Sequence, residues 1–392
     1  MLLTWTRTLY LILISSLPFA NAAPLGISLE PLLKVNYKPS LGTDEGGFWY
    51  QVEKLEQETK RSPYRITDPA INQYLEKLVC DLAGEYCASI RVYLIDNPGF
   101  NASMYPNGMM HIWSGLLLRV ENEAQLAAIL GHEIGHYLMT HQLQRYRNVK
   151  NTTSFSAFLD VGIAALTGIH GLGTLAMLPS VYAFSRDQEH EADTIGLELM
   201  ALRGYDPIQA SKVWEGIIEE READQSKESP SLFWQTHPSS NKRADKLRTE
   251  AQRLSSLNEH AESINQAEYI EVVSQVYPQI MANHISLQEY EQAEVLLHKH
   301  ETLGYSPANV SFFLGELYRL RGQNDDIKLA MNAYQRAISF EDSPAEAHKQ
   351  LGYLFIKENK KTQAFVQFQR YLEKNPDATD KAMINYYLTT LR

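Results

Sequence analysis

Hydrophobic residues recur at the three- and four-residue spacing of an amphipathic helix in several segments of the first 203 residues. These predicted helices cover residues 46–60, 68–82, 121–145 and 185–203. The second begins at Asp68-Pro69, an N-cap residue followed by proline at the first helical position. The fourth ends just before Gly204, a residue type that commonly follows the last turn of a helix.

Between the second and third helices the pattern changes to short hydrophobic and aromatic runs. Residues 90–95 alternate between apolar and polar positions, and residues 100–105 and 109–113 flank a Pro-Asn-Gly turn at 106–108. A second turn sequence, Asn-Pro-Gly at 97–99, separates the first run from the second. The sequence therefore predicts a small antiparallel sheet within a mainly α (α+β) fold.

Beyond about residue 265 the hydrophobic pattern becomes a repeat of the tetratricopeptide type, whose period is about 34 residues. In the unit that starts at Ala345, the residues at the pattern positions are Leu351, Gly352, Phe355, Ala364, Phe368 and Pro376. The preceding unit matches at Leu314, Gly315, Tyr318 and Gly322, and again at Ala330, Tyr334 and Ala337 after a three-residue insertion. A weaker unit starts near Ser274, and residues 379–392 resemble a capping helix, so we expect an α-solenoid.

The chain length of 392 residues favours two domains over one. We place the boundaries at residues 1–22 for a leader segment, 23–265 for a catalytic domain and 266–392 for the repeat domain. Hydrophobic residues make up 44% of the chain and charged residues 21%, as in soluble globular proteins. The net charge of -11 is spread along the chain without a dense basic cluster, which argues against nucleic acid as a partner.

The leader segment has the three parts of a secretory signal peptide. Arg7 provides the basic region, residues 9–14 the apolar region, and Ala20-Asn21-Ala22 a small-residue cleavage site. The apolar region is shorter than the roughly 20 residues that a membrane-spanning helix needs. We therefore expect export, with cleavage near Ala22. No cysteine lies near this site for attachment of a lipid.

Cys80 and Cys87 are the two cysteines of the chain. In an oxidising compartment, two cysteines at this spacing are expected to form a disulfide bond. The alternative is a pair of buried free thiols. Without a second pair or nearby histidines, they make a poor zinc site.

The strongest chemical motif, His132-Glu133-Ile134-Gly135-His136, lies on the third predicted helix. Two histidines four residues apart project from one helix face, where both rings can bind one zinc ion. Glu133 is then placed to take a proton from a water molecule whose pKa zinc lowers to about 7. The motif predicts a zinc hydrolase with His132 and His136 as ligands and Glu133 as general base.

A catalytic zinc ion needs a third protein ligand. A metzincin arrangement is excluded because Met139 and Gln142 occupy the positions of its glycine and third histidine. His141 is five residues past His136, and on a continuous helix it points to another face, so we expect a partly exposed side chain. Segment 185–193 offers Glu189 as a ligand with Asp193 beside a ligand histidine. Spacing alone leaves His190 and Glu191 as competitors.

The sequence resembles the M48 family of gluzincin metallopeptidases over roughly residues 45–250. The family combines His-Glu-x-x-His with a downstream Glu-x-x-x-Asp, and this match selects Glu189 with Asp193 among the acidic residues. Further similarities lie at Phe100-Asn101-Ala102, Gly108, residues 114–117 and Thr236-His237-Pro238, followed by Arg243. The resemblance implies a gluzincin-type domain that binds one Zn²⁺ ion.

The resemblance also implies roles for residues that spacing alone does not single out. His237 is expected near the zinc, either stabilising the oxyanion of the transition state or occupying the open coordination position. Arg243 is expected near the same site. Independently of the resemblance, the strand at Asn101 and Ala102 is expected either to pair with an extended substrate, as proteases often bind peptides at a sheet edge, or to be a buried core strand. Ser103 replaces the aromatic residue usual in the family.

Residues 161–179 contain 19 residues without lysine, arginine, aspartate or glutamate. A single membrane crossing here would place His136 and Glu189, two ligands of one ion, on opposite sides of the bilayer. A helical hairpin would need roughly 40 residues. We interpret the segment as an apolar lid over the site or a contact with a membrane surface, with part of the core as the alternative.

An exported M48-like domain followed by helical repeats implies a periplasmic zinc endopeptidase. By resemblance, its expected substrates are misfolded or stalled outer-membrane proteins, and its expected partner is the barrel assembly machinery. The alternative is an assembly chaperone or adaptor that acts through the repeats and has a latent zinc site. The intact Glu133 argues against a purely structural metal, which needs no base.

Overall fold

The computed structural model describes residues 31–149, 184–223, 237, 241–257, 262–323 and 325–391. In the N-terminal part, helices surround a three-stranded sheet. These elements are α1 (Asp44–Arg61), α2 (Pro69–Ala83), a 3₁₀ helix (Gly84–Ser89), β1 (Arg91–Ile95), β2 (Ala102–Met104), β3 (Met109–Trp113), α3 (Ser114–Arg119), α4 (Glu123–Leu138), α5 (His141–Val149), α6 (Arg186–Leu202), α7 (Gln209–Ala223) and α8 (Asn241–Leu257).

Polar side chains cap the helices that were predicted from the hydrophobic pattern. Asp68 accepts hydrogen bonds from the first turn of α2, directly before Pro69. Ser185 and Gln188 form a reciprocal capping box at the start of α6. These caps set where the two helices begin.

The sheet is mixed, which corrects the prediction of an antiparallel sheet. Its strand order is β1-β3-β2, with β2 antiparallel to β3 and β1 parallel to β3. The turn at 106–108 joins β2 and β3 as a hairpin, but the loop after β1 carries the chain across to the far edge. Because β3 then returns between the other two strands, β2 is left as an edge strand.

The predicted helix over residues 121–145 is interrupted, and α4 ends at Leu138. Thr140 has a backbone φ of 56°, which is incompatible with helix continuation. A separate helix, α5, starts at His141. The side chain of His141 therefore takes a direction that the spacing of a continuous helix does not predict.

Helices α4 and α6 pack closely because small residues line their contact. A Cβ atom at Gly196 would lie 2.8 Å from the backbone nitrogen of His132, and one at Gly135 would lie 3.0 Å from the carbonyl oxygen of Ala192. Close approach of the two backbones brings the motif on α4 against the acidic segment of α6.

The C-terminal part is a series of helices in which consecutive helices pack against each other. They are α9 (Gln266–Ser274), α10 (Tyr277–Ile285), α11 (Tyr290–Leu303), α12 (Pro307–Arg321), α13 (Asp326–Ala337), α14 (Ala345–Lys357), α15 (Lys361–Lys374) and α16 (Lys381–Thr390). A Cβ atom at Gly315 would lie 2.5 Å from the ring of Tyr334, and one at Gly352 would lie 2.7 Å from the ring of Phe368. The pattern glycines thus permit close packing within helix pairs, and their assignment as tetratricopeptide repeats stays a prediction.

The C-terminal helices contact the sheet-containing part directly. The hydroxyl of Tyr269 donates to the carbonyl oxygen of Leu117 at 2.6 Å, and His300 Nε2 lies 2.7 Å from the carbonyl oxygen of Leu118. Buried hydrophobic residues of both parts form one continuous cluster. The domain boundary at 265/266 stays a prediction, and these contacts indicate that any two such domains share a core.

Cys80 and Cys87 form a disulfide between the end of α2 and the 3₁₀ helix, with Cα atoms 4.5 Å apart. The predicted signal peptide and the apolar segment 161–179 lie outside the described residues. Among the helices that are described, none is long and apolar enough to cross a membrane.

Candidate metal centre

Helix α4 places the predicted base between the two predicted ligands of the motif. The Nε2 atoms of His132 and His136 are 3.0 Å apart, because residues at this spacing share one helix face. Glu133 lies beside them, and all three side chains are buried. Residue spacing and burial thus concentrate two imidazoles and one carboxylate at a single point.

Helix α6 adds the carboxylate of Glu189 to this point. Its Oε1 lies 3.5 Å from His136 Nε2, and its Oε2 lies 3.7 Å from His132 Nε2. Among the residues left open by spacing, Glu191 is directed to His141 instead, and His190 is exposed. The geometry therefore favours Glu189 as the third ligand.

His237 is the fourth residue at the centre. Its Nδ1 lies 3.2 Å from His132 Nε2 and 3.0 Å from Glu189 Oε1, and its Nε2 lies 3.4 Å from Glu133 Oε1. Burial alone lowers the pKa of His237, but the negative charges of Glu189 and Glu133 raise it overall. One donor atom from each of four buried residues lies within 4.8 Å of the others; the four are His132, His136, Glu189 and His237.

Asp193 and Arg243 surround the ligand carboxylate. Asp193 Oδ1 lies 2.9 Å from His132 Nδ1, on the side of the ring that faces away from the centre. Arg243 donates from Nε and Nη2 to the two oxygens of Asp193, each at 2.8 Å, and its Nη1 lies 2.5 Å from Glu189 Oε2. Burial raises the pKa of Asp193, but the charge of Arg243 and hydrogen bonds lower it to about 2. Arg243 therefore links both carboxylates.

These residues fit a zinc ion by the chemistry of their donors. Three imidazoles and one carboxylate form a set that zinc binds, and they converge in a buried position. Asp193 Oδ1 lies 2.9 Å from His132 Nδ1, and a carboxylate at this place favours a proton on Nδ1, which leaves the Nε2 lone pair facing the centre. Buried Glu133 Oε1 makes no hydrogen bond within the described part of the chain, as expected for an atom that faces a reactant.

The edge strand β2 is joined directly to the base. The backbone N–H of Met104 donates to Glu133 Oε2 at 3.0 Å, and the side chain of Gln142 donates to the carbonyl oxygen of the same residue. Asn101 and Tyr105 pair with β3, so the main-chain groups of Ala102 and Met104 point away from β3. The predicted substrate strand thus lies next to the centre.

The structure adds residues that sequence reasoning did not assign to the site. His141 is fully buried, which contradicts the expectation of a partly exposed side chain, because the chain turns at Thr140. Its Nδ1 lies 2.9 Å from His136 Nδ1. The ring of Phe184 stacks on His136 at a centroid distance of 3.9 Å. Nothing in the spacing of these residues indicated their position.

Fold and centre together are typical of a metallopeptidase of the His-Glu-x-x-His type, with the candidate third ligand Glu189 on a second helix. Residues 66–251 match the model of Peptidase family M48. M48 metallopeptidases depend on zinc, in agreement with the donor set.

Three relatives illustrate how far the similarity extends. The chain is 30% identical over 187 residues to the mitochondrial metalloendopeptidase OMA1 of Schizosaccharomyces pombe, covering 47% of this chain and 53% of the relative. It is 26% identical over 262 residues to the beta-barrel assembly-enhancing protease of Yersinia pestis, covering 62% and 53%. The corresponding protein of Escherichia coli is 26% identical over 256 residues, covering 60% and 49%. The chain thus spans about half the length of these curated relatives.

Proposed function

We propose that this protein is a zinc-dependent endopeptidase. The observation that carries the proposal is the placement of Glu133 beside the buried donors of His132, His136 and Glu189 and next to strand β2. A structural zinc site closes its coordination with four protein ligands and has no use for an adjacent base. Here the base is itself held by a backbone hydrogen bond from the edge strand.

When bound, zinc polarises the scissile carbonyl group and a water molecule. The N–H group of Met104 fixes Glu133 through Oε2, which leaves Oε1 to take a proton from water and pass it to the leaving amine. Burial is the main cause that raises the pKa of Glu133, and a raised pKa suits a group that must accept and then release a proton.

We propose that the substrate binds in an extended conformation along β2. Among the described residues no strand pairs with the main-chain groups of Ala102 on the side away from β3, and those of Met104 are engaged by Glu133 and Gln142. A peptide that pairs with Ala102 would continue toward the base, because strand addition extends the ladder in register. Asn101 holds the inner side of the strand by accepting from the backbone of Trp113.

For His237, the geometry favours the role of an additional ligand over that of an oxyanion stabiliser. Its Nδ1 lies among the donor atoms of His132 and Glu189, where an open coordination position is needed for catalysis. We propose that His237 leaves this position when the enzyme is active.

We propose that the protein acts in the periplasm on misfolded or stalled outer-membrane proteins. The signal peptide predicted to end near Ala22 supports this location, and the name of the bacterial relatives, beta-barrel assembly-enhancing protease, supports this substrate class. The C-terminal helix pairs would contact substrates or the barrel assembly machinery, and residues 161–179 a membrane surface. The mitochondrial relatives indicate that the catalytic domain itself is used in more than one compartment.

The second candidate is a chaperone or adaptor that acts through the C-terminal helices, and the large helical region after residue 265 favours it.

The experiment compares the mature wild-type protein with its Glu133→Gln variant. Each is incubated with an unfolded outer-membrane protein, with and without a zinc chelator. We expect cleavage by the zinc-loaded wild type alone, with a rate at least about 100-fold above that of Glu133→Gln. Equal zinc binding by both proteins without any cleavage would favour the adaptor.

A further inference from the structure

Two residues outside the ligand set form a hydrogen-bonded chain that ends on His136. Nε2 of His141 lies 3.0 Å from Glu191 Oε2, and Nδ1 of His141 lies 2.9 Å from His136 Nδ1. His141 and His136 are fully buried, whereas the side chain of Glu191 is 47% exposed. This hydrogen-bonded chain therefore links the partly exposed carboxylate of Glu191 to Nδ1 of His136, the ring nitrogen that does not face the centre.

The order of protons along this chain follows from the chemistry of its ends. A carboxylate is an acceptor only, so Nε2 of His141 must carry the proton that it shares with Glu191. In neutral imidazole the other nitrogen is then an acceptor, and Nδ1 of His141 accepts from His136. His136 thus bears its proton on Nδ1 and keeps the lone pair on Nε2. That lone pair faces Glu189 Oε1, 3.5 Å away.

We infer that His141 and Glu191 are positioning residues that hold His136 in the tautomer and ring orientation required for metal binding. This inference rests on the proposed zinc site. The same task is performed for His132 by a direct contact with Asp193. For His136, whose Nδ1 contacts His141, the link from this nitrogen to a carboxylate runs through His141 to Glu191.

The surrounding structure fixes the intermediate histidine. Thr140, with its positive φ, ends the turn after α4 and starts α5 at His141, so the imidazole is directed back toward His136. Gln188 of α6 donates to Gln144 of α5 at 3.2 Å, which joins the two helices that supply Glu191 and His141. Glu191 is not on the ligand face of α6, which explains why it reaches His141 and not the centre.

The test uses His141→Phe, which keeps the ring volume without ring nitrogens, and Glu191→Gln, which keeps the shape without the charge. His190→Phe and Asp187→Asn are matched controls on exposed positions of the same helix. Zinc affinity is measured by competition with a chelating dye. The tautomer of His136 is read from its ¹⁵N shifts in zinc-free protein at mildly alkaline pH, where imidazole is neutral.

We expect His141→Phe to weaken zinc binding by about 10- to 100-fold and Glu191→Gln by about 10-fold, with both controls unchanged. We also expect the zinc-free variants to populate the Nε2–H form of His136, which the wild type excludes. Wild-type affinity together with a wild-type tautomer in Glu191→Gln would overturn the inference, even if His141→Phe fails to fold. A wild type that binds no zinc would instead overturn the proposed function.

Discussion

Arg243 is the cation that the buried carboxylates of the centre depend on when no metal is bound. It makes a bidentate pair with Asp193 and contacts Glu189, and its side chain is 10% exposed, compared with 8% and 4% for the two carboxylates. Its guanidinium also lies over the ring of Trp214, 4.9 Å from the centroid. Arg243→Met retains much of this packing but removes the charge.

The expected cost follows from the number of charges that lose their partner. Removing one member of a buried ion pair costs about 3–5 kcal/mol, since the remaining charge stays desolvated. We expect a loss of this size in the free energy of unfolding of the zinc-free protein. The matched control is Arg248→Met on the same helix, whose pair with Glu215 is about half exposed, so that about 1 kcal/mol or less should be lost.

Equilibrium unfolding in urea, followed by circular dichroism, measures both losses. With zinc present the deficit of Arg243→Met should become smaller, because the ion supplies positive charge next to Glu189. The reasoning is wrong if zinc-free Arg243→Met is as stable as Arg248→Met. It is also wrong if zinc enlarges the deficit.

Two other predictions concern packing and acid stability. Gly196→Ala should weaken zinc binding and lower the free energy of unfolding by about 1–3 kcal/mol. The reason is that its Cβ would lie 2.8 Å from the backbone nitrogen of His132 and force α4 and α6 apart. An unchanged zinc affinity in a chelator competition would contradict this prediction. Glu56 forms a buried cluster with Arg91, Tyr93 and Asn107. Burial raises the pKa of Glu56, but hydrogen bonds from Arg91 and Tyr93 lower it from 4.5 to about 2. A lowered pKa stabilises the fold at pH values above the pKa of the unfolded state. Glu56→Gln should therefore lower the free energy of unfolding by about 2 kcal/mol at neutral pH, a figure that is discounted for the partial exposure of Arg91. The difference in stability between the wild type and Glu56→Gln should shrink as the pH falls from 4.5 to about 2. Urea unfolding measures this difference, and a constant value over that pH range would refute the prediction.

Local sequence determined the elements that depend on short-range chemistry. The spacing of His132 and His136 places both rings on one helix face. Asp68 and Ser185 determine where their helices begin, since a side-chain oxygen satisfies free N–H groups of the first turn. The two C-terminal helix pairs also follow from spacing, because Gly315 and Gly352 each leave room for an aromatic ring of the next helix.

Only the tertiary structure decided the features that depend on distant residues. The order of the strands could not be predicted, since a loop of six residues between β1 and β2 permits either a hairpin or a crossing to the far edge. Spacing alone left Glu189 and Glu191 open, and only the resemblance to a known family favoured Glu189. The position of its carboxylate beside both histidines depends on the close packing of α6 against α4, which Gly196 and Gly135 permit. The burial of His141 required a positive φ at Thr140, one residue before it. This one backbone dihedral directs His141 toward His136, a proposed metal ligand, and not toward the expected surface position. The spacing of residues predicts the direction of a side chain only within a continuous helix, and contacts beyond the end of the helix depend on the tertiary structure.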